Sequence, residues 1–280
     1  MRPATSARRA RLATIAASIA LLGVVIGTGT ASAAPPADQG RHIGANVAAA
    51  KGGKGPLPLI DHGGQVLLHS NVYLIFWGDF STVANDEPAA MQSLFGGFNG
   101  SAYLALGQQY MRSGTTISTS YLGFRNDPSA PPSHAPNPAA LGTEAQKAFG
   151  SVQADALYVV FTSNLPHVNY CAWHSATSVN GTSIEVAYVP LQPSGCSPLG
   201  TTNLHANTYS TTTQAAADSA AHEFIETVTD PKLNAWYDGN GAEIADKCEY
   251  DYQKVVTLHN GSTWQIQSEW SNATMSCQPG

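Results

Sequence analysis

Between residues 66 and 77 most positions are Val, Leu, Ile or aromatic, with a polar break at His69-Ser70-Asn71. Such a run predicts one long strand or a strand pair. From 87 to 110 the period changes. Met91, Leu94, Phe95, Phe98, Tyr103 and Leu106 recur at helical spacing, interrupted by Gly96-Gly97 and Gly100. Residues 115–124 alternate like a strand, and 127–138 hold five of the chain's 17 prolines, which predicts an irregular surface loop. A short helix is expected over 140–149 and a buried strand over 156–161. A further strand over 184–189 is stopped by Pro190 and is expected at the sheet edge, as a seat for an extended substrate. The clearest helix spans 211–230. Thr211 and Gln214 have capping-box spacing, the first half is Ala-rich, and Pro231 prevents continuation. Its apolar stripe is Ala217, Ala221, Phe224 and Val228. The order of elements predicts a single α+β domain over 59–280, a mixed β-sheet packed with helices, without internal repeats.

The start of the chain has a different character. Arg2, Arg8, Arg9 and Arg11 precede an apolar run over 12–26, and Ala31-Ser32-Ala33 is a small-residue cleavage site, so residues 1–33 read as a signal peptide. The run is too short and too interrupted for a membrane anchor, and no later stretch is apolar enough to span a bilayer. Residues 34–58 are rich in Ala, Gly and Pro and lack Phe, Tyr and Trp, as in a flexible leader or a propeptide. Removing the four arginines leaves nine basic against nineteen acidic residues, a formal charge of −10. That excludes a nucleic-acid partner read by charge, and the product is expected to be extracellular and free of the membrane. Four cysteines in an oxidising destination allow three pairings, of which the local bridges Cys171–Cys196 and Cys248–Cys277 are favoured. A four-thiolate zinc site is disfavoured because no C-x-x-C pair exists.

Only 11% of the residues are charged, less than half the roughly 25% of an ordinary domain, so a local cluster of acids stands out. The long helix carries His222-Glu223-Phe224-Ile225-Glu226. His222 and Glu226 are four apart, project from one face and can grip a single metal ion. Glu223 is rotated by ~100° but adjoins the imidazole, where it can reach a metal-activated water as general base. The third ligand is expected from Glu243 or Asp246, one ligating while the other orients the His222 ring. Asp230, before Pro231, reads as a cap. His174 is a candidate ligand or transition-state donor, with a structural role as its rival. His62 and His69 are isolated, and Trp236 and Tyr237 either line a cleft or pack the loop. No G-x-S-x-G elbow and no phosphate-cradling glycine loop is present.

The blocks flanking these residues have a familiar order. His62-Gly63-Gly64, then Asn71-Val72-Tyr73-Leu74-Ile75-Phe76-Trp77-Gly78, then His222–Glu226, Pro231, Asn234-Ala235-Trp236-Tyr237 and the run from Glu243 to Glu249 resemble the phosphate-induced protein 1, or EXORDIUM-like, family. The resemblance implies a secreted protein with that family's fold; the plant members are cell-wall-associated and linked to growth responses. The H-E-x-x-E helix also resembles that of the zincin metallopeptidases, with a carboxylate in the second ligand position. The expected function is therefore a secreted metal-dependent hydrolase, a zincin-like peptidase with catalytic Glu223 and His174 and with metal ligands His222, Glu226, Glu243 and Asp246. The cofactor is a divalent metal: zinc, with the extra carboxylates moving preference toward Mn²⁺ or Ca²⁺. The partner is a peptide, protein or cell-wall substrate. The alternative is a non-catalytic extracellular module that binds the cell wall or another surface protein, with the cluster as a structural metal site or carboxylate network. A glycosidase is disfavoured, because Glu223 and Glu226 on one helix cannot flank a sugar bond from opposite faces.

Overall fold

A strand that is apolar at consecutive rather than alternate positions is stable only with both faces covered. The run after Asn71 meets that condition in the computed structural model, which describes residues 41–44, 57–199 and 203–280. It forms β3 (His69–Trp77), flanked in parallel by β4 (Ser118–Asp127) and β5 (Ala156–Thr162). Val72, Leu74 and Phe76 point into one core and Tyr73 and Ile75 into the other, the period-two alternation of a pleated strand. The sheet continues through β7 (Thr182–Val189), parallel to β5, to β6 (Tyr170–Val179), antiparallel to β7. Outermost is β1 (Arg41–Gly44), antiparallel to β6, giving the order β1-β6-β7-β5-β3-β4.

Helices cover both faces. α3 (Pro138–Phe149) lies over Tyr158, Val160, Val186 and Tyr188, packing Leu141 and Ala145 on that side. It starts earlier than its apolar residues suggest, because the Asn137 side chain accepts from the Ala140 N–H and Pro138 fits the first turn. On the other face lie α1 (Glu87–Gly97), the short α2 (Ala102–Ala105) and α4 (Thr211–Thr229), with Phe98 stacked on Phe224 and Phe95 edge-on to both. This is the expected α+β domain with a mixed sheet, and both local disulfides, Cys171–Cys196 and Cys248–Cys277, are formed. Short pairs finish the chain: β2 (Ile60–Asp61) with β8 (Trp236–Tyr237), β9 (Val256–Thr257) with β10 (Thr263–Trp264), and β11 (Glu269–Ser271) with β12 (Ser276–Gln278). Among the described residues no helix is long and apolar enough to cross a membrane.

Several expectations are corrected. Strand 184–189 exists as β7 but is not an edge: β5 and β6 pair with it on either side, and the edge belongs to β6 and β1. The helical pattern over 87–110 breaks at Gly100 as expected, with φ +74°, but Gly96-Gly97 does not interrupt it and lies within α1. The cap of α4 is Ser210, one residue before Thr211: its hydroxyl accepts from the Thr213 N–H, while the Gln214 side chain donates instead to the Tyr209 carbonyl. Every residue of α4 from Thr213 to Thr229 is buried, so its alanine stripe is only one side of a helix enclosed all round. The expected signal peptide, residues 1–33, lies outside the described residues, as does most of the expected leader. Within that leader, however, Arg41–Gly44 is a strand of the main sheet.

Candidate metal centre

One helical turn fixes the first two groups. From α4, His222 Nε2 lies 3.1 Å from Glu226 Oε1, as i, i+4 spacing requires. The third comes from the loop after β8, where Asp246 opens a 3₁₀ turn (Asp246–Cys248) and brings Oδ1 to 3.5 Å from His222 Nε2. That loop is held firmly. The Asp246 N–H donates to Glu226 Oε1 (3.1 Å) and the Glu243 N–H to Asp246 Oδ2 (3.0 Å). Buried Lys247 donates to Asp238 (2.8 Å) with its ammonium over the Trp270 ring, and Cys248 is anchored to Cys277.

The second side of the cluster descends from the sheet. Ala172 of β6 faces α4, so His174, two residues on, shares that face. Its Nδ1 lies 3.0 Å from Glu223 Oε2 and 3.5 Å from Glu226 Oε2, while its Nε2 lies 3.4 Å from the Asp230 carbonyl and 3.7 Å from Glu243 Oε1. All six residues singled out from the sequence, His174, His222, Glu223, Glu226, Glu243 and Asp246, thus meet in one cluster. Glu243 reaches the His174 ring rather than that of His222. His222, Glu226 and Asp246 converge closely enough for one metal ion, and so do His174, Glu223 and Glu226.

The electrostatics are severe. His174, His222, Glu223, Glu226 and Glu243 are at most 1% exposed, and Asp246 is a quarter exposed. Burial raises the Glu223 pKa well above the carboxylate range; His222 opposes the rise, and Glu226 and Asp246 add to it. Glu226 is raised by burial and by Asp246 against the pull of His222. Burial alone would lower the His222 pKa, but Glu226, Asp246 and Glu223 outweigh it and hold it well above the ordinary value. Among the described residues, Glu223 Oε1 and His222 Nδ1 have no hydrogen-bond partner. Carboxylates concentrated like this in a dry site need a cation or protons to balance them. Nitrogen and oxygen donors about 2.1 Å from a common ion stand about 3.0–3.4 Å apart, close to the separations seen here. The residues fit a divalent metal.

The other candidates play structural parts. Asp230 is the cap, its Oδ1 accepting from the Asn234 and Ala235 N–H groups (2.6 Å each). His62 stacks on Tyr237 at 3.6 Å, His69 bonds the Ser118 hydroxyl, and Trp236 meets Tyr110 edge to face, so the two loop aromatics pack the chain instead of lining a cleft. Two further acids adjoin the cluster. Asp218, raised to about 6 by burial, binds the Tyr252 hydroxyl; Glu269 binds that of Tyr103. Asp218 was legible, since it precedes His222 by the same four-residue step; Glu269 sits on a short late strand with no such pattern. No family model, curated protein or solved structure matches the chain.

Proposed function

We propose that the protein is a secreted metal-dependent hydrolase acting on peptides. The observation that carries this reading is the convergence of His222, Glu226 and Asp246 with Glu223 beside them. When bound, a divalent ion supplies Lewis acidity and makes a coordinated water acidic enough to react near neutral pH. Glu223 has Oε2 engaged by His174 and Oε1 without a partner, so Oε1 is the atom that accepts a proton. His174, expected as a substrate-facing donor, has its ring nitrogens against Glu223 and the Asp230 carbonyl, so its part is to orient Glu223. Zinc suits His222; three carboxylates beside it favour Mn²⁺ as well.

A peptide substrate is supported by the sheet edge. β1 lies antiparallel on β6, with Arg41 opposite His174, His42 opposite Trp173 and Gly44 opposite Tyr170. An extended backbone therefore has a hydrogen-bonding seat ending at a residue of the cluster. Next to it opens a cavity of about 320 Å³ between residues 175–178, Ser183 and residues 232–234, within the range of small-molecule and side-chain sites. The similarity to the phosphate-induced protein 1 family supports an extracellular setting. Its two blocks brace each other here, with the Gly64 N–H donating to the Asn234 carbonyl and His62 stacked on Tyr237.

One observation favours a second reading. A site this enclosed also suits a structural ion in a non-catalytic surface protein. Glu223→Gln separates the two. For a hydrolase, the variant folds and still holds metal but loses peptide turnover by at least about a hundredfold. For a structural site, Glu223→Gln is silent and chelation only lowers the melting temperature. Peptide cleavage that persists undiminished in chelator would refute both.

A further inference from the structure

We propose that the cavity between β6, β7 and residues 232–234 is a pocket for a basic side chain, lysine or arginine, selected by the carboxyl of Glu185. That this side chain belongs to a peptide substrate rests on the hydrolase reading; the pocket itself does not. The cavity, about 320 Å³, is lined by residues 175–178 of β6, Ser183 of β7, and Lys232, Leu233 and Asn234 after α4. It adjoins the cluster. Ala176 lies two residues beyond His174 on one strand face, and Asp230, whose carbonyl stands 3.4 Å from His174 Nε2, lies two before Lys232.

Glu185 belongs to the face that bears the cavity. Along β7, Ile184 and Val186 point into the core under α3, whereas Ala187 points to the opposite side, toward α4. Glu185 is in step with Ala187 and points there too. Its neighbours across the sheet are Ala176 of β6 and Leu157 of β5, and Ser183 precedes it by two on the same face. The cavity thus rests on two of the smallest side chains, each beside Glu185. Directly opposed residues have Cβ atoms about 4.5–5.5 Å apart. A cationic head seated on Ala176 therefore stands where an opposite charge holds a carboxylate ionised.

No partner among the described residues accounts for this acid. It is fully buried, and neither oxygen is hydrogen-bonded. Loss of its charge does not remove the cost, because a neutral carboxyl still has a donor and an acceptor to satisfy. Valine would occupy such a strand position without that cost. Two charged groups act on Glu185, Asp155 just before β5 and Lys232 after α4. Lys232 is engaged elsewhere: its Nζ donates to Gln65 Oε1 (2.6 Å) and stands 4.0 Å from Asp155, whose Oδ1 accepts from Gln65 Nε2 (3.1 Å). Lys232 and Asp155 thus balance each other at the rim, and Glu185 is the unmatched charge. A ligand that brings one positive charge on an aliphatic stem completes the set.

The test uses the full chain with two kinds of probe. The first is a set of fluorogenic peptides in which one residue, walked along the sequence, is lysine, arginine, norleucine or glutamate. The second is N-acetyl-lysine methylamide, with its norleucine analogue as control. At one position lysine or arginine should raise kcat/KM by about tenfold or more over norleucine, and the lysine amide, unlike its analogue, should raise the melting temperature. In Glu185→Gln, which keeps the shape, the lysine-to-norleucine ratio should fall to about one and the shift should vanish. Ser183→Leu, which fills the cavity, should do the same and covers the case in which the glutamine variant fails to fold. Cleavage without preference for the positive charge, or a preference that survives in both folded variants, overturns the pocket and leaves the hydrolase standing. No cleavage of any peptide, with the lysine amide still stabilising wild type but not Glu185→Gln, overturns the hydrolase and supports the pocket. Neither cleavage nor a shift overturns both.

Discussion

Glu185 sits on β7 between Ile184 and Val186, fully buried, and neither carboxylate oxygen has a hydrogen-bond partner among the described residues. Burial pushes its pKa up to about 7, Asp155 adds to the rise and Lys232 opposes it. Between the ordinary value of 4.5 and about 7 the folded chain therefore binds a proton that the unfolded chain has released. The stabilising contribution is complete below the lower value and is lost as the pH rises through the upper one. The loss amounts to about 3 kcal/mol. Glu185→Gln cannot ionise, so its advantage over wild type in urea unfolding should grow by about 2.5 kcal/mol between pH 5 and pH 8. An equal gap at both pH values would refute the assignment. Gly64 tests a second residue-scale claim. A Cβ there would lie 1.9 Å from Asn234 Oδ1 and 2.4 Å from its carbonyl oxygen. Gly64→Ala should therefore cost about 2 kcal/mol or more in thermal unfolding. A substitution without effect would mean the two motif blocks do not brace each other. At this scale the sequence was informative wherever spacing has a mechanical meaning: His222 and Glu226 declare themselves by a four-residue step. It was silent on Glu185, whose burial depends on strands and loops distant in the chain.

Elements were legible in proportion to how strongly burial imposes a period. β3 and β5, covered on both faces, and α4, ended by Pro231, are where the apolar pattern puts them. β6 was not anticipated, because Tyr-Cys-Ala-Trp-His-Ser-Ala-Thr-Ser-Val mixes small polar residues with aromatics and lacks both an alternating and a continuous apolar run. That composition suits a strand at a sheet margin, where pairing is shared with solvent or another segment. The segment in place is β1, from a stretch whose composition suggested only a leader. On the proposed peptidase reading, its register along residues 170–174 makes it a competitor for an extended substrate on the same edge. A chain starting at residue 57 should therefore cleave peptides faster than one that retains β1, chiefly through a lower KM. A synthetic peptide of residues 38–46 should inhibit the shortened form competitively. Identical KM values for the two chains would show that β1 does not occupy the substrate seat.

Across the whole molecule the cluster draws on segments that nothing local holds together: β6 supplies His174, α4 supplies His222, Glu223 and Glu226, and the loop after β8 supplies Glu243 and Asp246. Each disulfide joins the chain near one of these, Cys171 three residues before His174 and Cys248 two residues after Asp246. A bridge of 29 residues such as Cys248–Cys277 contributes about 3–4 kcal/mol by restricting the unfolded chain. It also fixes the turn that presents Asp246 to His222 and Glu226. On the proposed metal reading, ion binding and this bridge favour the same arrangement of one loop, and two ligations with a common ordered state are coupled reciprocally. If freeing the loop weakens metal binding about tenfold, bound metal must protect the disulfide by the same factor, about 1.4 kcal/mol. Titration with a phosphine reductant that does not strip Mn²⁺ should require about tenfold more reductant for the metal-loaded chain than for the chelated one. Cys248→Ser/Cys277→Ser should show the matching loss of Mn²⁺ affinity while keeping its circular dichroism. Equal reduction midpoints with and without Mn²⁺ would mean that the loop's own hydrogen bonds, such as Asp246 with Glu226 and Lys247 with Asp238, hold Asp246 in place, and that the bridge stabilises the chain without shaping the site.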